Sequence, residues 1–362
     1  MKVRPSEATL PASTDRFRTM VEVELDGFLA AVRGDLSAVS REALTLLDEI
    51  LRLVEAGGKR IRPLFCFWGY RAAGGVLGTE IARAGAAIEL LHTCAIVHDD
   101  VLDGSERRRG EPASHRALMH GGPDPERFGR AAAVLAGDLA HVLADRMLVE
   151  SGFPAPAVLA AFGSFNRMRM EAVGGEFLDL LTTRGAAPTT VPPPSEADSR
   201  RIASLKSGSY TVVGPLQMGA TLAGAGPSLL DALARYARPL GEAFQLRDDV
   251  LGAFGDPSVT GKDCDSDLRE GKMTTLVAKL WRMGSERERR LVERRLGRHD
   301  VTPQEIEELR AGMRGSGALS EALGLIRALA ARATGTLEGV PLTAEVRDAL
   351  VVLADAASLR DA

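Results

Sequence analysis

Apolar residues return every three or four positions through most of this 362-residue chain, and few stretches alternate as strands do. In residues 81–98, Ile81, Ala84, Ile88, Leu91 and Ala95 form one such row, which predicts a helix. The same periodicity predicts helices over 131–150, 157–181, 201–223 and 229–251. It fails over 184–199, RGAAPTTVPPPSEADS, which reads as a mobile loop inserted between similar helices. Residues 1–20 are polar and read as a flexible N-terminal segment, leaving 21–362 as one all-helical domain. The basic run SERERRLVERRLGRH (285–299) interleaves glutamates with its arginines, so it reads as a solvated helix face rather than a nucleic-acid contact.

Composition narrows the picture. Apolar residues make up 45% of the chain and aromatic ones only 4%, so the core is built from Leu, Ala and Val, which favours helices over a β-sandwich. A net charge of −4 gives no reason to expect nucleic acid or an anionic membrane surface as a partner. Cys66, Cys94 and Cys264 are scattered and lack CxxC spacing. That argues against a disulfide framework or a zinc site and for a reducing, cytoplasmic setting. The opening MKVRPSEATLPASTDRF has no apolar h-region, so a secretory signal is not expected. No membrane span is expected either, since the Ala-rich run 131–144 is broken by Asp138 and His141.

The chemistry concentrates where the 81–98 helix ends. IVHDDVLDGSERRRGEPASH (96–115) sets Asp99, Asp100 and Asp103 beside Arg107, Arg108 and Arg109. At about 3.6 residues per turn, Asp99 and Asp103 share a helix face one turn apart. Two carboxylates so placed repel each other unless a cation sits between them, and hard oxygen ligands suit Mg²⁺ shared with phosphate oxygens. Taken alone, such a string is as compatible with a solvated helix end. A second acid pair, Asp248 and Asp249, follows the apolar run LGEAFQLR, and two helix-borne clusters could face each other across a bundle. Cations complete the inventory. Lys59 and Arg62 in GGKRIRP stand three apart, and Lys206, Lys262 and Lys272 lie near the later acids and hydroxyls.

Six motifs in order, GGKRIRP, LLHTCAIVHDDVLDGSERRRGEPASH, LAGD (135–138), GGEFLDL (174–180), LKSGSYTVVGPLQMGA (205–220) and FQLRDDVLGAFGDPSVTGK (244–262), resemble the trans-polyprenyl diphosphate synthase family. The resemblance implies an all-α, single-domain antiparallel helical bundle around a central cavity, of the isoprenoid synthase kind. It implies a Mg²⁺-dependent prenyltransferase, with two or three ions, that condenses isopentenyl diphosphate with an allylic diphosphate, and a homodimer. By the same resemblance Lys59, Arg62, His92 and Arg109 bind isopentenyl diphosphate. Arg108, Lys206, Ser207, Gln245, Lys262 and Lys272 contact the allylic substrate. Asp99, Asp103 and Asp248 ligate metal, Asp100 supports the first cluster, and Asp249 stands behind Asp248. Catalysis then rests on Asp99, Asp100, Asp103, Lys206 and Asp248, with the departing pyrophosphate accepting the lost proton and His98 and His115 structural.

Three positions depart from the family pattern. Gly252 stands where many members carry a third Asp, with Asp256 a turn further on. Ser207 replaces the usual Thr, and the 184–199 loop is long and Pro-rich. In this family the growing tail runs down the helix of the first acid cluster. Cys94, Ala95 and Leu91 would then form its floor, and the small pair points to a C20 product, geranylgeranyl diphosphate. Two rivals share the fold. A class I terpene cyclase needs no second diphosphate pocket, and a non-catalytic subunit of a heteromeric synthase would have lost acids or cations that this chain keeps.

Overall fold

The computed structural model describes residues 10–183, 194–255, 265–298 and 300–358. Helices carry almost all of them. In chain order they are α1 (Ala12–Val39), α2 (Leu44–Glu55), α3 (Ile61–Ala72), α4 (Thr79–Asp103), α5 (Ser114–Ala117), α6 (Pro125–Val149), α7 (Ala155–Thr182) and α8 (Glu196–Ala203). A π-helix, Ser204–Val213, follows, then α9 (Gly214–Leu222), α10 (Pro227–Phe254), α11 (Ser266–Glu270) and α12 (Thr275–Met283). The chain closes with α13 (Glu286–Arg295), α14 (Pro303–Gly315), α15 (Ala318–Gly335) and α16 (Ala344–Ser358). The all-α expectation holds. The sheet among the described residues is a hairpin of two-residue strands, β1 (Arg107–Arg108) and β2 (Glu111–Pro112). The helices gather into two compact units, one of Pro11–Gly163 with Met218–Ala225, the other of Ser164–Gln217 with Gly226–Ala362.

In the first unit, Phe17, Val21, Leu25 and Leu29 recur every fourth residue along α1 and are fully buried. That row explains why helix begins at Ala12, inside the segment read as flexible through residue 20: Phe17 stacks on Phe67, with ring centroids 4.5 Å apart. α4 is the central helix. Ile81, Ala84, Ile88, Leu90, Leu91 and Val97 are buried on several faces, as in a helix enclosed by others. Close approach is bought with small residues: a Cβ on Gly85 would meet Phe17 at 2.8 Å, and one on Gly137 of α6 would meet the His98 ring at 2.3 Å. α6 starts at a side-chain cap, Asp124 accepting from Arg127 N at 3.0 Å, with Pro125 in the first turn.

In the second unit, α10 packs on the π-helix and α15. A Cβ on Gly208 would lie 2.9 Å from the Gly241 backbone, so these two helices touch main chain to main chain. Leu246, Val250, Leu276, Leu280, Ile306, Leu309 and Ile326 form the core beside them. Two sequence readings are corrected here. Residues 196–199, assigned to the loop, begin α8, because Ser195 and Asp198 form a reciprocal capping box. Residues 201–223, read as one regular helix, divide into the end of α8, the π-helix and α9. The Arg/Glu run does form a solvated helix, α13, capped by Ser285 and Glu288.

Candidate functional site

The first unit holds one acid cluster and a set of guanidinium groups around it. α4 carries Asp99, Asp100 and Asp103 in its last turn and stops at Gly104, which takes the left-handed conformation (φ 63°) at its C-cap. The chain then folds into the β1–β2 hairpin, in register Arg107 opposite Pro112 and Arg108 opposite Glu111. Arg109 and Gly110 at its tip have φ of 53° and 83°, the two positive values a tight two-residue hairpin turn demands.

The hairpin turns Arg108 inward. Its Nε donates to Asp100 at 3.0 and 3.2 Å, its Nη2 donates to Asp100 Oδ1 as well, and Nη2 lies 3.4 Å from Asp99. Asp100 is fully buried. Burial opposes the Arg108 charge, but the hydrogen bonds and charge of Asp100, with Asp99 and Asp103 behind it, outweigh that and raise its pKa. Asp100 and Arg108 thus form a buried pair that fixes the turn on which Asp99 and Asp103 stand. Asp99 itself is 28% exposed.

Arg109, at the hairpin tip, donates to the Gly57 carbonyl and lies over Gly58, where a Cβ would meet its guanidinium at 3.4 Å. Both glycines of GGKRIRP therefore face this arginine. Arg62 Nη1 is 3.1 Å from His92 Nε2. A guanidinium can only donate, so Nε2 accepts and the ring proton sits on Nδ1. Burial, then Arg62, Arg109, Arg108 and Arg60, push the His92 pKa well below its ordinary value, leaving a neutral ring among cations. Lys59 is exposed.

Arg60 was passed over in the sequence. It takes a left-handed conformation (φ 47°) as the N-cap of α3 and is buried, donating to Glu22 at 2.7 and 3.0 Å, to Glu89 at 2.5 Å and to the Val54 carbonyl at 2.8 Å. Burial would lower its pKa, but the two glutamates hold it above its ordinary value. The available signal was Glu89, a lone acid inside the apolar run Ala86–Leu91.

The floor residues sit on two rows of α4. Ala95 and Leu91 lie four and eight positions before Asp99, in its own row. Cys94 shares the row of His98: its Sγ is 3.7 Å from His98 Nδ1, and His98 Nε2 is 3.2 Å from the Val134 carbonyl and 3.6 Å from Asp138. His98 thus packs α4 on α6, and the glycine of LAGD makes room for it.

The second unit holds the other cluster. Lys206 Nζ donates to Glu176 at 2.9 Å and to Asp179 at 2.8 Å. Glu176 and Asp179, three apart in GGEFLDL, were missed as a pair, although that spacing puts them on one face of α7. A Cβ on Gly175 would lie 2.3 Å from Lys206 N, so this glycine lets the π-helix rest on α7. π-helical turns recur at functional sites, and this one carries Lys206 and Ser207. On α10, Gln245 Nε2 donates to Asp249 at 2.8 Å. Burial, then Asp267, with Asp179 and Asp248 adding to it, pushes the Asp249 pKa up to about 8. Lys272 Nζ is 2.7 Å from Glu270 and 3.8 Å from Asp267. Lys262, Asp256 and Cys264 lie outside the described residues.

Among the described residues no three His, Cys, Asp or Glu side chains converge as a fully protein-ligated metal would need. Mg²⁺ requires less, taking one or two carboxylates and completing its shell with water and phosphate oxygens. The donor set fits it: Asp99 and Asp103 one turn apart, and crowded acids around Asp249 whose repulsion a cation would relieve.

Residues 45–313 match the polyprenyl synthetase family model. The chain is 33% identical over 280 residues to a geranylgeranyl diphosphate synthase of Sulfolobus acidocaldarius, covering 75% of this chain and 77% of that one. It is 33% identical over 312 residues to a geranylfarnesyl diphosphate synthase of Aeropyrum pernix, covering 84% and 91%. The fold is similar to the crystal structure of geranylgeranyl pyrophosphate synthase from Corynebacterium glutamicum complexed with isoprenyl diphosphate and magnesium. The TM-score is 0.90 at 34% identity, covering 96% of this chain and 99% of that one.

Proposed function

This chain belongs to the polyprenyl synthetase family, and on that premise we propose that it joins isopentenyl diphosphate head to tail to an allylic diphosphate, making geranylgeranyl diphosphate. One observation carries the reading. Arg62 and Arg109, with neutral His92, form a group of cations that Arg108, paired with buried Asp100 of the DDxxD turn, links to the α4 carboxylates. Acids and cations so grouped suit one metal-bound diphosphate and one held by protein cations. No feature favours the cyclase, which has no use for the second group, or a subunit stripped of its acids.

Asp99 and Asp103 in the first cluster, and separately Asp248 in the second, would hold Mg²⁺, two or three ions in all. When bound, the ions supply positive charge to the leaving diphosphate. The chain's own residues do the rest. Lys59, Arg62, His92 and Arg109 hold the isopentenyl diphosphate, His92 as a neutral hydrogen-bond donor. Arg108, through Asp100 and Asp99, keeps the acid-bearing turn in place. Lys206, fixed by Glu176 and Asp179, positions the π-helix with Ser207 beside the allylic substrate, and Gln245, Lys262 and Lys272 complete its contacts. Excluding water protects the allylic cation until the new bond forms.

Product length follows from α4. Ala95 stands about 6 Å and Leu91 about 12 Å below Asp99, at 1.5 Å per residue. The small Ala95, with Cys94 beside it, leaves room past a C15 tail, and Leu91 closes the row. The relatives include geranylgeranyl and geranylfarnesyl synthases but also octaprenyl ones, so the C20 product is carried by the α4 floor alone.

Among the described residues no helix is long and apolar enough to cross a membrane. A cytoplasmic setting is part of this reading and is supported by the scattered spacing of Cys66, Cys94 and Cys264, which lacks CxxC. A homodimer is supported by Phe128, Val134, Leu135 and Val142, large apolar side chains exposed along α6. The test is pyrophosphate release by the purified chain. Release is expected only with Mg²⁺, isopentenyl diphosphate and an allylic diphosphate together. Release without isopentenyl diphosphate would overturn the reading in favour of a cyclase.

A further inference from the structure

The second acid cluster lacks a carboxylate at position 252, and the structure shows what has taken its place. Gly252 lies on α10 four residues after Asp248, the same one-turn spacing that separates Asp99 from Asp103. Into the space above it comes Asp267, from α11. A Cβ built on Gly252 would lie 2.2 Å from Asp267 Oδ2 and 3.0 Å from its Cγ. No pair of non-bonded heavy atoms tolerates that separation, so the Asp267 carboxylate occupies the volume that any larger side chain at 252 would fill. This placement of Asp267 requires a glycine at 252.

We propose that Asp267 supplies the carboxylate that position 252 lacks, forming with Asp248 the one-turn acid pair of the second cluster and helping to hold Mg²⁺ and the diphosphate bound there. This rests on the prenyl diphosphate reading and adds to it a residue from outside the DDxxD-like string.

Three observations support the assignment. The carboxylate stands over the turn of α10 that carries Asp248 and Asp249. Its ion pair with Lys272 is long, 3.8 Å, because Lys272 sits closer to Glu270, at 2.7 Å. Its side chain keeps 23% of its exposure, so one edge remains accessible to a ligand. Its backbone is held in place, because the Asp267 carbonyl accepts from Gly271 N at 3.1 Å and Lys272 N at 3.0 Å, closing α11 on Gly271 (φ 86°).

Moving the carboxylate tests this. The full chain, Asp267→Asn, Gly252→Asp and the double variant Gly252→Asp/Asp267→Gly would be titrated with inorganic pyrophosphate in the presence of Mg²⁺ by calorimetry. Folding would be checked by circular dichroism and by melting in EDTA. Asp267→Asn is expected to weaken Mg²⁺-dependent pyrophosphate binding about tenfold or more. Gly252→Asp alone weakens it too, through the clash. The double variant, which returns the acid to α10 and removes the obstruction, is expected to recover to within about threefold of the parent. Unchanged binding by Asp267→Asn, with the parent chain binding normally, overturns this proposal alone. So does a folded double variant that binds no better than Asp267→Asn. A parent chain that binds no pyrophosphate with Mg²⁺ overturns the prenyl diphosphate reading and this assignment with it.

Discussion

Removing the Asp100–Arg108 pair in steps measures what holds the first acid cluster in place. The Asp100 side chain is fully buried and that of Arg108 is 10% exposed. Breaking such a pair by deleting one partner leaves a buried charge uncompensated, which costs about 3–5 kcal/mol. Arg108→Met strands the Asp100 carboxylate with no access to water, so the upper part of that range applies. Asp100→Asn keeps an oxygen acceptor and leaves Arg108 the Asp99 carboxylate at 3.4 Å, so about 3 kcal/mol is expected. In the double variant no charge remains stranded, and its loss should match that of Arg108→Met or fall below it. The coupling in the cycle is then about 3 kcal/mol or more. Urea unfolding followed by circular dichroism reads these values as shifts of the midpoint at unchanged slope. Additive losses would show that the two side chains do not act as a pair. A second readout follows from the same geometry. With Asp100 neutral, Arg108 competes with Mg²⁺ for Asp99, and the half-saturating Mg²⁺ concentration for turnover should rise about tenfold, the equivalent of about 1.4 kcal/mol. An unchanged Mg²⁺ requirement would mean that Asp99 does not serve the metal.

Ala95→Phe fills the row below Asp99 and is expected to shorten the product to C15 or less while condensation continues, as chromatography of the dephosphorylated alcohols would show. His92→Gln should change how stability depends on pH. The folded His92 pKa is depressed from an ordinary 6.5, so the unfolded state takes up the extra proton. Stability from this group is therefore present above about pH 6.5 and lost as pH falls below it, at up to about 1.4 kcal/mol per pH unit until the folded value is reached. The parent-minus-variant difference in urea midpoint between pH 7 and 5 should show that slope, and a flat difference would contradict it. Gly175→Ala gains about 1 kcal/mol of helix propensity, yet its Cβ would sit 2.3 Å from Lys206 N. A melting temperature lowered by several degrees and reduced turnover are expected, and a more stable, fully active variant would show that the π-helix does not need that contact.

The helices were legible because each buries a row of apolar residues at helical spacing. Thus 81–98 predicted the body of α4, and 229–251 that of α10. What the sequence hid depends on distant partners. GGKRIRP offers Lys59 and Arg62 as a pair, but not that Arg60 between them turns inward, because its partners Glu22 and Glu89 are 38 and 29 residues away. The hairpin was hidden because RRRGEP lacks the β-branched alternation of a strand and takes its shape from the positive φ of Arg109 and Gly110. The π-helix was hidden because its apolar pattern matches an α-helix, and its widening accompanies backbone contacts with Gly175 and Gly241. Likewise Gly252 reads as a missing acid until Asp267, fifteen positions later, is seen above it.

The most direct measurement supplies the purified chain with Mg²⁺, labelled isopentenyl diphosphate and, separately, dimethylallyl, geranyl and farnesyl diphosphates, then sizes the labelled alcohols after dephosphorylation. Linear C20 alcohol from each starter is expected, and none in EDTA. Labelled C15 or products longer than C20 would keep the reaction and contradict the floor formed by Ala95 and Leu91. Cyclic hydrocarbon from the allylic diphosphate alone, with no label incorporated, would contradict the condensation itself.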